Sequence, residues 1–145
     1  MPRRLQFLSR PATWFAAYAL WFVLLFLLSS ITVEAKGKPS IPHLDKVAHA
    51  TYFTAGSAAL GIGLLLGGSK LARSRHQRWL LLTLVLAALV VGGFDEWHQS
   101  FTAGRSGNDL GDLAADLLGG VVGFFVATRL FGFATTRGLL ARLAA

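Results

Sequence analysis

The chain has no cysteine in its 145 residues, which removes disulfides, thiolate nucleophiles and cysteine-ligated metals from its possible chemistry. Proline is scarce, at four residues, and no proline-rich linker, low-complexity tract or internal repeat divides the sequence. Charge is scarce too: 14% of residues are Asp, Glu, Lys or Arg, against about a quarter in a typical soluble domain. What is present instead is apolar. Hydrophobic residues make up 54% of the chain, in long blocks rather than in alternation, and a soluble core of this length does not hide so much apolar surface. The composition therefore expects a bilayer as solvent and a single membrane domain over 1–145.

Residues 12–33 carry no charge, and at about 1.5 Å rise per residue such a run crosses a hydrocarbon core of about 30 Å. Similar stretches at 47–68, 79–94 and 109–128 predict an all-α bundle of four transmembrane helices. Ten Lys and Arg (Arg3, Arg4, Arg10, Lys70, Arg73, Arg75, Arg78, Arg129, Arg137 and Arg142) fall on one side of these spans, and four (Lys36, Lys38, Lys46 and Arg105) on the other. The positive-inside rule then places both termini in the cytoplasm. All seven acids, Glu34, Asp45, Asp95, Glu96, Asp109, Asp112 and Asp116, lie toward the outer face. Val33-Glu34-Ala35 resembles a leader-cleavage site, but the apolar run before it exceeds the 7–15 residues of a signal core, so the first span is expected to stay. Nucleic acid is not an expected partner, because the basic residues are spread over short cytoplasmic segments with no recognition helix among them. Anionic lipid heads suit them better.

At 100° per residue, Asp45, His49, Tyr52, Gly56, Ala59 and Gly63 occupy a sector of about 80° on the second span. Asp109, Asp112, Asp116, Gly119, Gly120 and Gly123 occupy about 100° on the fourth, with Gly119-x-x-x-Gly123 at a close-packing spacing. The third span runs Ala88 and Gly92 into Glu96 and Gln99, with Asp95 beside that line and His98 further round. Counted from Arg129, Asp116 comes out about 10 Å below the outer boundary, and His49 and Glu96 come out near that boundary. These stripes predict a polar cluster in the outer leaflet, facing the bundle interior or a wet cavity, since a carboxylate at such depth costs at least about 2–3 kcal/mol.

Two readings of that cluster stand side by side. In one, Arg105 bridges Glu96 and the three acids of the fourth span, and the network locks the helices together. In the other, Asp45, Lys46, His49, Tyr52, Asp95, Glu96, His98, Gln99, Arg105, Asp109, Asp112 and Asp116 surround a binding pocket. His49 and His98 with the acids are a donor set for a divalent metal such as zinc or manganese, although no His-Glu-x-x-His pair is present. Tyr52 and Gln99 offer hydrogen bonds to an anionic group or to each other. Trp97 and Phe101 read as an interfacial aromatic anchor. No Gly-x-Ser-x-Gly elbow surrounds Ser100, Ser106 or Thr102, so serine nucleophilic catalysis has no support.

The run Asp45-Lys46-x-x-His49-x-x-Tyr52, followed by Asp95-Glu96-x-x-Gln99-x-Phe101-x-x-Gly104-Arg105 and by Asp112-x-x-x-Asp116-x-x-Gly119, resembles the VanZ-like family of small integral membrane proteins. Ala103 stands where the family often has Pro, and Asp116 where many members have Asn. The resemblance implies a bacterial cell-membrane protein whose namesake is associated with low-level resistance to teicoplanin, a lipid-bearing glycopeptide antibiotic. The leading expectation is an envelope role in which an outer-leaflet pocket binds a lipid headgroup, a lipid-linked wall precursor or a lipoglycopeptide. A second is a membrane hydrolase or transferase acting on a phospholipid or polyprenyl phosphate through a carboxylate base or bound metal. The motif set of phosphatidic-acid-type phosphatases is absent, and Asp112-x-x-x-Asp116 matches only the tail of the CDP-alcohol transferase motif. A third is proton-linked transport, since intramembrane acids relay protons.

Overall fold

A computed structural model describes residues 3–31, 43–68, 76–105 and 107–136. A short 3₁₀ segment, Arg3–Ser9, leads into four helices: α1 (Pro11–Ser29), α2 (Leu44–Gly67), α3 (Gln77–Gln99) and α4 (Leu110–Thr136). Each helix is long and apolar enough to cross a membrane. The leader-cleavage-like region at 33–35, the loop prolines Pro39 and Pro42, and the basic residues Lys70, Arg73, Arg75, Arg137 and Arg142 lie outside the described residues.

Local chemistry sets several of the helix ends. Pro11 opens α1, where its fixed φ suits the first turn and its missing N–H costs nothing. In the same turn, Thr13 Oγ1 and Trp14 Nε1 donate to the carbonyls of Phe7 and Leu8, tying the 3₁₀ segment to the helix. Between α3 and α4 the chain reverses through Gly104 at φ 78°, a backbone region that favours glycine. Asp109 then accepts the Gly111 N–H at 2.7 Å, the usual role of an aspartate capping a helix N-terminus.

Two of the expected spans are too short. The third runs through Gln99 rather than stopping at residue 94, and the fourth through Thr136 rather than 128. A charge ends an apolar run in the sequence, but Asp95 and Glu96 are buried on the inner face of α3 and so do not interrupt it. Arg129 is exposed on α4, which continues past it for two further turns.

Small residues decide which helices touch. α4 packs most extensively on α2. A Cβ at Gly119 would stand 2.7 Å from the Ala50 carbonyl oxygen, and one at Gly123 would stand 2.5 Å from Ser57 Cβ. Gly120 turns instead to Ala88 of α3. The Gly56 stripe of α2 meets α1, where the Trp21 ring covers Gly56 and Phe15 covers Gly63. α2 therefore has two close-packing faces, and only the one toward α1 coincides with the stripe through Asp45, His49 and Tyr52.

Because sequential helices run antiparallel, the C-termini of α1 and α3 and the N-termini of α2 and α4 share one end. Buried polar side chains collect there: Ser29, Asp95, Glu96, Gln99, Asp112 and Asp116. The other end is closed by an apolar cluster of Ile62, Leu65, Leu80, Leu84, Phe124 and Ala127. Large hydrophobic side chains such as Leu20, Val90, Phe125 and Leu130 are exposed on the outside. Apolar exterior with polar interior is the pattern of a bundle built for a lipid environment.

Candidate functional site

Lys46, on the first turn of α2, is the cation that Asp109 and Asp112 use. Its Nζ donates to Asp109 Oδ2 at 2.6 Å, Asp112 Oδ1 at 2.7 Å and Asp45 Oδ2 at 3.0 Å. This corrects the expected role of Arg105. Among the described residues Arg105 forms no ion pair with Glu96 or with the α4 acids; it donates to Gln99 Oε1 at 3.2 Å and to the carbonyls of Leu28 and Ile31. The loop that carries Arg105 directs the guanidinium toward the carbonyls released at the end of α1, which need partners of their own. The Lys46 ammonium holds the Asp109 carboxyl below the usual carboxylate range.

One turn further along α2, His49 reaches α4. Its Nδ1 lies 2.9 Å from Asp116 Oδ1, and its Nε2 lies 3.8 Å from Asp112 Oδ2. Asp116 is 0% exposed, and Gly92 of α3 makes room for it: a Cβ at that position would stand 2.5 Å from Asp116 Oδ2. Against a carboxylate, Nδ1 is the donor, and in the neutral Nδ1–H tautomer Nε2 keeps its lone pair.

Glu96 and Asp95 complete the cluster from α3. Glu96 Oε2 accepts the backbone N–H of Asp109 at 2.6 Å, tying the end of α3 to the start of α4. Its Oε1 is buried and has no hydrogen-bond partner among the described residues, and the same holds for Asp116 Oδ2. Asp95 accepts from Ser29 Oγ of α1 and from Gln99 Nε2, the latter at 2.7 Å. One donor atom from each of His49, Asp95 and Glu96 falls within 4.8 Å of the others, and so does one from each of Asp45, Asp109 and Asp112.

Beside this cluster, between α1, α2 and α3, is a partly open cavity of about 220 Å³. Its lining mixes polar side chains, Ser29, His49, Asp95, Gln99 and Arg105, with apolar ones, Leu25, Leu28, Ala48 and Phe53. Asp45 and Tyr52 also line it. Lys46, Glu96, Asp109, Asp112 and Asp116 are not among its lining residues; they form the charged layer between α2, α3 and α4.

His98 belongs to neither. Its ring lies tilted 4.3 Å from that of Phe26 and is stacked on Phe94 at 6.5 Å, so it packs among aromatics between α1 and α3. The idea of two histidines sharing one site does not match this placement, because His98 lies about 200° around the helix from Glu96. Tyr52 and Gln99 do not satisfy each other either. Tyr52 donates to the Trp21 carbonyl while Trp21 Nε1 donates to that of Tyr52, and Gln99 serves Asp95 and Arg105. Trp97 and Phe101 are exposed, with their rings edge to face at 5.1 Å.

Ser29 was not singled out from the sequence. Ser29 and Ser30 are adjacent at the end of an apolar run, and only the fold shows that the first is buried against Asp95 while the second bonds its own helix at Phe26.

Six of the seven acids thus gather at one end with two permanent cations, Lys46 and Arg105, and one imidazole. Such an arrangement favours cationic or hydrogen-bond-donating ligands unless a further positive charge is supplied. Comparison with family models, with curated proteins and with solved structures found no match to this chain.

Proposed function

We propose that the chain is a VanZ-like, multi-pass protein of a bacterial cell membrane that binds the headgroup of a lipid or lipid-linked envelope precursor. In this reading both termini are cytoplasmic and the polar end lies in the outer leaflet. The observation that carries it is the mixed lining of the cavity. Asp45, His49, Tyr52, Asp95, Gln99 and Arg105, all within the VanZ-like motif blocks, line the same space as Leu25, Leu28 and Phe53. A lining that mixes polar and apolar side chains suits a molecule with a hydrophilic head and a greasy stem.

Size narrows the ligand. At about 220 Å³ the cavity is below the roughly 300–1,000 Å³ of drug-sized sites, so it suits a headgroup of a few heavy atoms. A lipoglycopeptide would engage it only through a fragment. The third expectation, proton transport, has less support, since the cluster of Ile62, Leu65, Leu80, Leu84, Phe124 and Ala127 puts no ionisable group on a path through the opposite half.

Ala48 is exposed and lines the cavity, so Ala48→Trp fills the space while leaving the charged layer intact. Native mass spectrometry of the protein released from mild detergent is expected to show a retained lipid, and Ala48→Trp to reduce its occupancy at least about tenfold. Equal occupancy in parent and variant would rule the pocket out. The absence of cysteine makes the orientation testable as well. Ser100, exposed at the polar end, should as Ser100→Cys react with impermeant maleimide from outside the cell.

A further inference from the structure

We propose that His49, Asp95 and Glu96 bind a divalent transition-metal cation of the zinc or manganese class. One imidazole and two carboxylates are a donor set such ions accept, and one donor atom from each already lies within 4.8 Å of the others. Ligands at about 2.0–2.2 Å from a shared ion stand up to roughly 4.4 Å apart, so side-chain adjustment suffices and no helix needs to move.

The independent observation is Glu96. It is 4% exposed and its Oε1 has no hydrogen-bond partner among the described residues, although Oε2 is held by the Asp109 N–H. A buried carboxylate oxygen without a partner is costly. The Glu96 carboxyl group stands beside a second buried carboxylate and an imidazole, and no lysine or arginine nitrogen lies within ion-pair distance of Asp95, Glu96 or Asp116 among the described residues. A dication meets that charge.

Each ligand is also oriented from behind, as ligands of resident metals are. With its proton on Nδ1, His49 donates to Asp116 Oδ1 and keeps the Nε2 lone pair for the ion, with Asp112 Oδ2 3.8 Å from Nε2. Ser29 and Gln99 hold Asp95, and the start of α4 holds Glu96. The neighbouring trio of Asp45, Asp109 and Asp112 differs, because Lys46 Nζ already sits among its oxygens. The ion would border the cavity through His49 and Asp95, but its binding does not depend on the headgroup reading.

The test uses full-length, tag-free protein in mild detergent, stripped with EDTA and titrated with Zn²⁺ by calorimetry and with Co²⁺ by visible absorption. One ion per chain is expected. Glu96→Gln and His49→Gln should each weaken binding about a hundredfold, and Asp116→Asn about ten- to a hundredfold. His98→Phe should leave it unchanged. Nitrogen couplings in the pulsed electron-spin spectrum of the Mn²⁺-loaded parent should report one imidazole, a readout that needs no variant to fold. The proposal is overturned by the lack of saturable binding to the parent, by full affinity in Glu96→Gln and His49→Gln, by loss of binding in His98→Phe, or by zero or two imidazoles. Lipid retained by an EDTA-stripped parent that binds no ion would remove this proposal and leave the headgroup reading intact.

Discussion

Three carboxylates converge on one ammonium around Lys46, while one turn deeper carboxylates converge on an imidazole and on one another. The two groups sit at the same end of the same bundle and differ in depth. Asp45 and Asp109 have side chains 58% and 40% exposed, whereas Asp95, Glu96 and Asp116 are at most 4% exposed. A lysine stem can deliver its charge at the rim while keeping contact with water. Deeper in, between close-packed α2, α3 and α4, charge is met by hydrogen bonds from Ser29, Gln99 and the Asp109 N–H. The rim group reads as a helix-locking ion network, and the inner one as a site.

Opposite signs in a pair of variants would sharpen this contrast most. Lys46→Met leaves three carboxylates without their shared cation and is expected to cost on the order of 2 kcal/mol. That exceeds an isolated surface pair and falls short of a fully buried one, because solvent screens Asp45 and Asp109. Glu96→Gln is expected to stabilise the EDTA-stripped protein by about 1 kcal/mol. The amide keeps an acceptor for the Asp109 N–H and turns donors toward neighbouring carboxylates. Thermal unfolding in detergent measures both, and destabilisation by both would break the distinction.

The reach of the sequence differs between the groups. Four helices were legible because long uncharged runs have few other uses in a chain with 14% charged residues. Their limits were not, since Asp95, Glu96 and Arg129 give the same sequence signal whether they end a helix or sit along one. Polar stripes on α2, α3 and α4 pointed to one end, but periodicity fixes only which side chains share a face. It does not say that Lys46, rather than Arg105, faces the α4 acids, or that α1 covers the Gly56 stripe and brings Ser29 to Asp95.

A smaller effect should separate the rim from the interior by pH. Asp109 has a depressed folded-state pKa because it accepts from Lys46. Its contribution to stability is therefore fully present above the unfolded value of about 4, and is lost as pH falls through the lower folded value. Stability of the parent relative to Asp109→Asn should be constant from neutral pH down to about 5 and then shrink toward zero in more acidic solution. Since Asp109→Asn keeps the backbone N–H that binds Glu96, it should not alter Zn²⁺ affinity. A difference that grows on acidification would contradict the Lys46 pairing.

The smallest effect is expected at His98, and it tests where the interior group ends. Its ring lies 4.3 Å from Phe26 by centroid, and its Nδ1 is buried without a hydrogen-bond partner among the described residues. His98→Phe keeps the stacked ring and removes the unpartnered nitrogen, so unfolding should shift by no more than about 0.5 kcal/mol, toward greater stability if at all. Lipid occupancy should hold at the parent level too, because His98 is not among the cavity-lining residues. A loss of more than about 2 kcal/mol would mean that His98 makes a polar contact to the acids of α3 or α4, and the inner group would then extend across the helix to the α1 side rather than stopping at Asp95.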